Sequence, residues 1–191
     1  METLVRSIRN LQKNLQDAEI PSIVIGGVAV AIWGEPRVTR DVDLKVLLGR
    51  EEAERLLTVL TPHYVPLLPD PLRALREQAL LFIQDAAGTR LDLLLADTPY
   101  DVQAIRRARG AEVEPGATIS VCSPEDLVIY KLVSTRMRDH EDAASVIRRQ
   151  AERLDDDYVL GWLRQFEQAL DDSTLVAEFK RLRAGTPSAQ E

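Results

Sequence analysis

Leu4, Ile8, Leu11 and Leu15 recur every three or four residues, giving the opening segment one apolar face in an otherwise charged stretch. That spacing predicts an amphipathic helix, which Pro21 ends. Ser22 to Ile25 is a short β-branched run and reads as a strand. Gly26-Gly27 then turns the chain into a second apolar helix, Val28 to Trp33, which stops at Gly34-Glu35-Pro36. From Asp41 to Leu47 the pattern alternates, with Val42, Leu44 and Val46 on one face of a strand and Asp41 and Asp43 on the other. Arg50 to Leu60 reads as a helix with Ala53, Leu56, Leu57 and Leu60 inward.

Pro62 to Glu77 is punctuated by prolines and predicts an irregular crossing or a short edge strand. Two strands follow, Ala79 to Gln84 and Thr89 to Ala96, joined at Ala86-Ala87-Gly88 as a hairpin. Tyr100 to Arg109 reads as a helix and Thr118 to Val121 as a last short strand. Ser123-Pro124-Glu125-Asp126 is a strong helix start, with an N-capping hydroxyl, proline at the first helical position and acids in the first turn. The chain is then almost wholly helical to about Arg183, with breaks at Asp155-Asp156-Asp157 and Asp171-Asp172. The expected class is α+β: residues 1–122 form a mixed β-sheet flanked by helices, residues 123–183 a C-terminal helical bundle packed on that core, and residues 184–191 a disordered tail.

Composition narrows this only a little. A chain of 191 residues with 45% hydrophobic and 29% charged residues is an ordinary globular protein. It has no apolar run of the roughly 20 residues that span a bilayer, so no membrane partner is expected. The charged N-terminal segment is unlike a signal peptide, and a cytoplasmic location is expected. One cysteine, Cys122, and two histidines exclude an intrachain disulfide and a Cys/His zinc cluster. A net charge of −7 argues against coating extended duplex DNA through a broad basic face. The clustered arginines (Arg106, Arg107 and Arg109; Arg136 and Arg138; Arg148 and Arg149) keep a local polyanion contact open.

The chemistry concentrates in a few positions. A strand points Asp41 and Asp43 to the same side, where two like charges repel unless a cation lies between them. Magnesium suits such a pair, because it takes hard oxygen ligands and tolerates phosphate oxygens. Taken alone, a D-x-D is more often a solvated strand face. Gly26-Gly27 changes the weighting, since backbone N–H groups at a helix start can face a phosphate. Asp92, inside Arg90-Leu91-Asp92-Leu93-Leu94-Leu95, is a charge in a central strand that is costly without a partner. Three carboxylates on neighbouring strands beside a glycine turn make a two-metal phosphoryl-transfer site, with the carboxylates expected close enough to share one ion.

Gly26-Gly27, Arg37-x-Thr39-x-Asp41-x-Asp43 and then Asp92 together resemble the nucleotidyltransferase superfamily with the polymerase-beta-like fold. Within it the sequence looks most like the AbiEii-type group of minimal nucleotidyltransferases, which includes toxins of toxin–antitoxin systems. A further match is the helix carrying Lys131, with Arg136 or Arg138, then Asp139 and Asp142. The likeness runs from about Ile23 to Ile147. It implies that Asp41 and Asp43 bind two magnesium ions, that Asp92 completes the second site and helps deprotonate the attacking hydroxyl, and that Gly26-Gly27 holds the triphosphate. Many members carry Gly-Ser at that turn, so a hydroxyl contact to phosphate is missing here.

Lys131 also has a reading of its own. Lys131, Thr135, Arg138 and Asp142 are spaced by four, three and four, so one continuous helix would line them on a single face toward a triphosphate or acceptor. Arg138 and Asp142 are equally well explained as internal ion pairs on a solvated face. Arg37 and Arg40 have two uses open to them, touching phosphate or pairing with Asp41, Asp43 or Glu35. His63 and His140 lack partners at ligand spacing, Trp33 reads as core, and Cys122 has no apparent general base.

The expected activity is magnesium-dependent transfer of a nucleoside monophosphate from an NTP to a hydroxyl on an RNA end such as tRNA, a protein or a small molecule, with pyrophosphate released. A toxin role with a cognate antitoxin partner belongs to the same expectation. The alternative is a catalytically weak or inactive member of the fold that serves as an interaction or regulatory module, which Gly27 in place of serine faintly favours.

Overall fold

The computed structural model describes residues 2–39 and 41–185, with nothing said of the Glu2 side chain. Along the chain lie α1 (Glu2–Asp17), β1 (Ser22–Ile25), α2 (Gly26–Trp33), β2 (Val42–Val46), α3 (Ala53–Leu60), β3 (Val65–Pro66), α4 (Pro71–Gln78), β4 (Leu80–Gln84) and β5 (Arg90–Leu95). There follow α5 (Pro99–Arg106), β6 (Arg109–Glu114), β7 (Ala117–Val121), α6 (Pro124–Val133), α7 (Met137–Gln150), α8 (Asp156–Leu170) and α9 (Leu175–Ala184). The chain divides into two compact units, the first the chain up to Val28 with Val38–Cys122, the second Ala29–Arg37 with the chain from Ser123 onward. The boundary therefore falls within α2.

The first unit is built on a seven-stranded sheet in the order β3-β4-β5-β2-β1-β7-β6. β2 pairs antiparallel with β1 and parallel with β5, and β1 pairs parallel with β7. Strand alternation explains which face is buried. Val42, Leu44 and Val46 of β2 and Leu91, Leu93 and Leu95 of β5 are at most 1% exposed, while Asp43 and Asp92 on the alternate positions are half-buried. α1 packs on β1 and β7, burying Ile8, Leu11 and Leu15. At roughly 1.5–3 kcal/mol for each fully buried large aliphatic side chain, this layer carries much of the unit's stability.

The second unit is helical, and α6 is its centre. Leu127, Val128, Ile129 and Leu132 are all buried, and α6 packs on α7, α8 and α9. Its start follows the sequence signal: the Ser123 hydroxyl accepts from the Asp126 N–H at 3.1 Å and donates to the Asp126 carboxylate at 2.6 Å. Tyr158 donates to the other Asp126 oxygen at 2.7 Å, so this buried carboxylate is hydrogen-bonded on both sides.

Several boundaries differ from expectation. α2 begins at Gly26 and not at Val28, and β2 starts at Val42, leaving Asp41 exposed just ahead of the strand. Leu57 is only half-buried, and Arg50–Glu52 is a 3₁₀ turn before α3. The proline-punctuated stretch holds both the expected short edge strand β3 and a helix, α4, which Asp70 caps from one side and Pro71 opens. Arg109 does not end a helix but starts β6, which returns through Gly116, at φ +73°, into β7. The expected disordered tail lies outside the described residues, except for Ala184, which ends α9, and Gly185.

The continuous helix expected to carry Lys131, Thr135, Arg138 and Asp142 is broken. α6 stops at Val133, and Ser134 turns extended, with ψ 143°, before α7 starts at Met137. The Ser134 hydroxyl explains the stop: it donates to Asp139 at 2.6 Å and accepts from the Arg136 N–H at 3.3 Å, a local alternative to helical bonding.

Candidate active site

The expected site residues fall into two constellations, one in each unit. In the first unit, Asp43 on β2 is the direct register partner of Asp92 on the parallel strand β5. Both side chains therefore stand on the same face of the sheet, opposite the buried one. In the same row Ile25 of β1 lies beside Asp43 and Phe82 of β4 beside Asp92.

Gly26 is the next residue after Ile25, and it takes φ +63° as α2 begins. A Cβ at this position would sit 2.0 Å from an Asp43 carboxylate oxygen and 2.7 Å from its carboxyl carbon. Gly26 is thus required twice over, by a left-handed backbone and by close approach of the Asp43 carboxylate. Gly27 is buried in the first turn of α2. The glycines and the carboxylate form a single feature, with Asp43 lying against a helix start whose N–H groups carry partial positive charge.

Asp92 has a partner that the sequence reading did not foresee. Arg90, two residues earlier on the same strand face, donates Nε to one Asp92 oxygen at 2.7 Å and Nη2 to the other at 3.0 Å. Its guanidinium carbon lies 4.3 Å from the centre of the Phe82 ring. The hydrogen bond to Asp92 holds the Arg90 guanidinium above its ordinary range against the opposing effect of burial, and the charges of Asp92, Asp41 and Asp43 add to it in that order. All three carboxylates therefore act on one cation. The signal was present in Arg90-x-Asp92, because residues two apart on a strand share a face.

Their oxygens are the hard donors that a divalent cation takes, so they fit one in donor chemistry, with Asp43 and Asp92 in one strand row and Asp41 just ahead of β2. Among the described residues, however, no group of three or more His, Cys, Asp or Glu side chains is arranged to hold a metal ion. The positive charge at Asp92 is supplied by Arg90. Thr39 donates its hydroxyl to the Asp41 carbonyl at 3.0 Å, bracing the turn ahead of β2.

The second constellation is an ion network. Lys131 on α6 is 7% exposed, and its ammonium pairs with Asp139 and, at 2.9 Å, with Asp142, both on α7. Arg37 grips Asp142 in a two-pronged pair, each contact 2.8 Å. Arg136 adds a contact to Asp139 at 2.9 Å. Burial pushes both aspartates upward, but hydrogen bonds from Lys131 and Ser134 on Asp139, and from Arg37 and Lys131 on Asp142, outweigh it and leave both below the ordinary carboxylate value. Of the two uses open to Arg37, the structure shows an ion pair, with Asp142 as its partner; Glu35 pairs with Arg148 at 3.0 Å. Arg40 lies outside the described residues, and Arg138 is exposed on α7.

The mixed seven-stranded sheet with its flanking helices matches nucleotidyltransferase-like folds among solved structures. The solution structure of the antibiotic-resistance factor ANT(2'')-Ia aligns with 89% of this chain and 96% of its own at TM-score 0.60 and 14% identity. A crystal structure of ANT(2'')-Ia in complex with adenylyl-2''-tobramycin aligns with 94% of this chain and 98% of its own at TM-score 0.52 and 16% identity. An antigenic nucleotidyltransferase-like protein from Paracoccidioides brasiliensis aligns with 97% and 94% at TM-score 0.55 and 15% identity. No family model and no curated protein matches the sequence.

Proposed function

We propose that this chain is a nucleotidyltransferase that moves a nucleoside monophosphate from an NTP to an acceptor hydroxyl. The observation carrying this reading is the register pair of Asp43 and Asp92 on parallel neighbours, with Gly26 opening α2 against the Asp43 carboxylate. In this reading Asp41, Asp43 and Asp92 hold magnesium, which when bound neutralises charge on the phosphates and acidifies the attacking hydroxyl. The chain's own part is to place the groups. The start of α2 at Gly26 and Gly27 receives the triphosphate through backbone N–H groups alone. Asp92 accepts the proton of the acceptor hydroxyl as its oxygen bonds to the α-phosphorus. The bond from that phosphorus to the bridging oxygen breaks, and pyrophosphate departs. Lys131 and Arg37 hold α6, α7 and the segment after α2 through Asp139 and Asp142.

The acceptor we favour is a small polyhydroxylated molecule. Its support is the likeness to a protein solved with adenylyl-2''-tobramycin, together with a net charge of −7 that disfavours a broad RNA surface. An RNA end, and with it the toxin role and antitoxin partner of the AbiEii-type group, is the competing placement of the same chemistry. The test is incubation with α-labelled nucleoside triphosphates, magnesium and separate acceptor pools of aminoglycosides, total RNA and protein. Label on the small molecules supports the reading, and label on RNA alone moves the protein to the toxin placement. A second reading, an interaction module with a silent site, is favoured by one observation: Arg90 holds Asp92 on both oxygens. It predicts no transfer to any pool.

A further inference from the structure

Arg90 is a charged side chain on the carboxylate face that the proposed reaction does not use, and its geometry is unusually constrained for a surface arginine. Both prongs of its fork are committed to Asp92, at 2.7 and 3.0 Å, while one flat face rests on Phe82 at 4.3 Å. Phe82 is the register partner of Asp92 on β4, as Asp43 is on β2, so the aromatic ring, the two carboxylates and the guanidinium share one row and its edge. Asp92 is 14% exposed and Arg90 43% exposed, so the carboxylate is enclosed while its partner keeps an open side.

Two consequences follow from charge and shape. Three like charges on adjoining strands repel, and a single guanidinium relieves part of that repulsion while no other cation is bound. A divalent cation at Asp92 would stand beside a positive charge and compete for the same oxygens, so the Arg90–Asp92 pair must open for it. The open side and the flat ring beneath let the guanidinium pivot while keeping its stacking. Its fork matches a phosphate as well as a carboxylate.

Building on the nucleotidyltransferase reading, we propose that Arg90 is a resident counter-ion that occupies Asp92 until divalent cation and nucleotide bind, and then passes to a phosphate oxygen of that nucleotide. Cation and nucleotide binding are thereby coupled: the cation frees the fork that holds the nucleotide, and the nucleotide draws away the group that competes with the cation. Arg90 is a positioning residue and touches no bond that is made or broken.

The test is manganese binding to the full chain, followed by electron paramagnetic resonance of the free ion, with and without an α,β-methylene nucleoside triphosphate. Arg90→Gln is expected to bind manganese about tenfold tighter than the parent when no nucleotide is present, the scale of losing one charge-assisted pair at a partly solvated site. The nucleotide's enhancement of manganese affinity should shrink by a similar factor. Arg90→Lys keeps the charge without the fork and should move both quantities the same way by less. If circular dichroism shows that the glutamine variant is unfolded, the lysine variant decides. Manganese affinity and nucleotide enhancement both unchanged in the variants would overturn the role of Arg90, while leaving the activity reading intact provided Asp43→Asn abolishes binding. Failure of the parent to bind manganese at all, with or without nucleotide, would overturn both.

Discussion

Replacing Gly26 by alanine tests the tightest feature of the site. Gly26 and Gly88 both sit at positive φ, +63° and +81°, so alanine incurs a similar backbone penalty at either. That penalty is about 1 kcal/mol once the stiffer unfolded chain is allowed for. The surroundings differ. A Cβ on Gly88 meets nothing within 4 Å, whereas on Gly26 it meets the Asp43 carboxylate at 2.0 Å. Relieving that overlap means turning Asp43 away, an overpacking cost of about 1–3 kcal/mol. Gly26→Ala should therefore cost about 2–4 kcal/mol in urea unfolding and Gly88→Ala about 1. In an Asp43→Ala background, where the 2.0 and 2.7 Å overlaps are gone and the Cβ contact at 3.0 Å stays, the excess should largely vanish. Under the proposed function, turnover should fall by about a hundredfold in Gly26→Ala, the scale of a reacting group misplaced by around an ångström. Equal costs for the two glycine variants, or an excess that persists without the Asp43 carboxylate, would refute the reasoning.

Other consequences are equally concrete. Asp142→Ala leaves the buried Lys131 ammonium with one carboxylate fewer and takes away the two-pronged partner of Arg37, and should cost about 3 kcal/mol in urea unfolding, the low end for a broken buried pair because Asp139 still holds Lys131. Arg136→Ala, whose side chain is 81% exposed, should cost under about 1 kcal/mol in the same assay; a reversed order would contradict the network. Asp139 and Asp142 titrate below 3.8 when folded, so their stabilisation is full above that value and is lost as pH falls through the folded values. Urea midpoints should hold from neutrality down to ordinary carboxylate pH and drop below it, and an Asp139→Asn, Asp142→Asn double variant should show a smaller drop. Tyr64 is pushed up to about 12, first by burial and then by Asp85, with Asn14 pulling the other way. Ultraviolet titration should show a late tyrosine ionisation that disappears in Tyr64→Phe.

Much of this was legible in the chain because it is local. The β1–Gly26 turn, the alternation along β2, the β4–β5 hairpin and the Ser123 cap each follow from alternation or turn chemistry within a few residues. The misses share a cause, which is competition settled by partners distant in sequence or by weak local signals. Ser134 ends α6 because Asp139 accepts its hydroxyl, and no glycine or proline announces that break. Lys131 reads by spacing as a cation facing a triphosphate or acceptor, yet is buried against Asp139 and Asp142 once α7 begins anew. Asp92 reads from the sequence as a charge needing a partner, for which a metal is expected, and the structure supplies Arg90, two residues away. Arg37 needed Asp142, on a helix far along the chain, before its role could be read.

The most direct test of the central claim follows two labels at once. With the favoured acceptor, magnesium and triphosphate labelled at either the α or the γ position, the account predicts that only the α label joins the acceptor, with one pyrophosphate formed per transfer. Asp43→Asn, which keeps the shape of the side chain and removes its charge, should reduce that transfer to background. Transfer of the γ label would instead make the protein a phosphotransferase. Undiminished α transfer in Asp43→Asn would show that the carboxylates of β2 and β5 are not the reacting site, and either result would contradict the account.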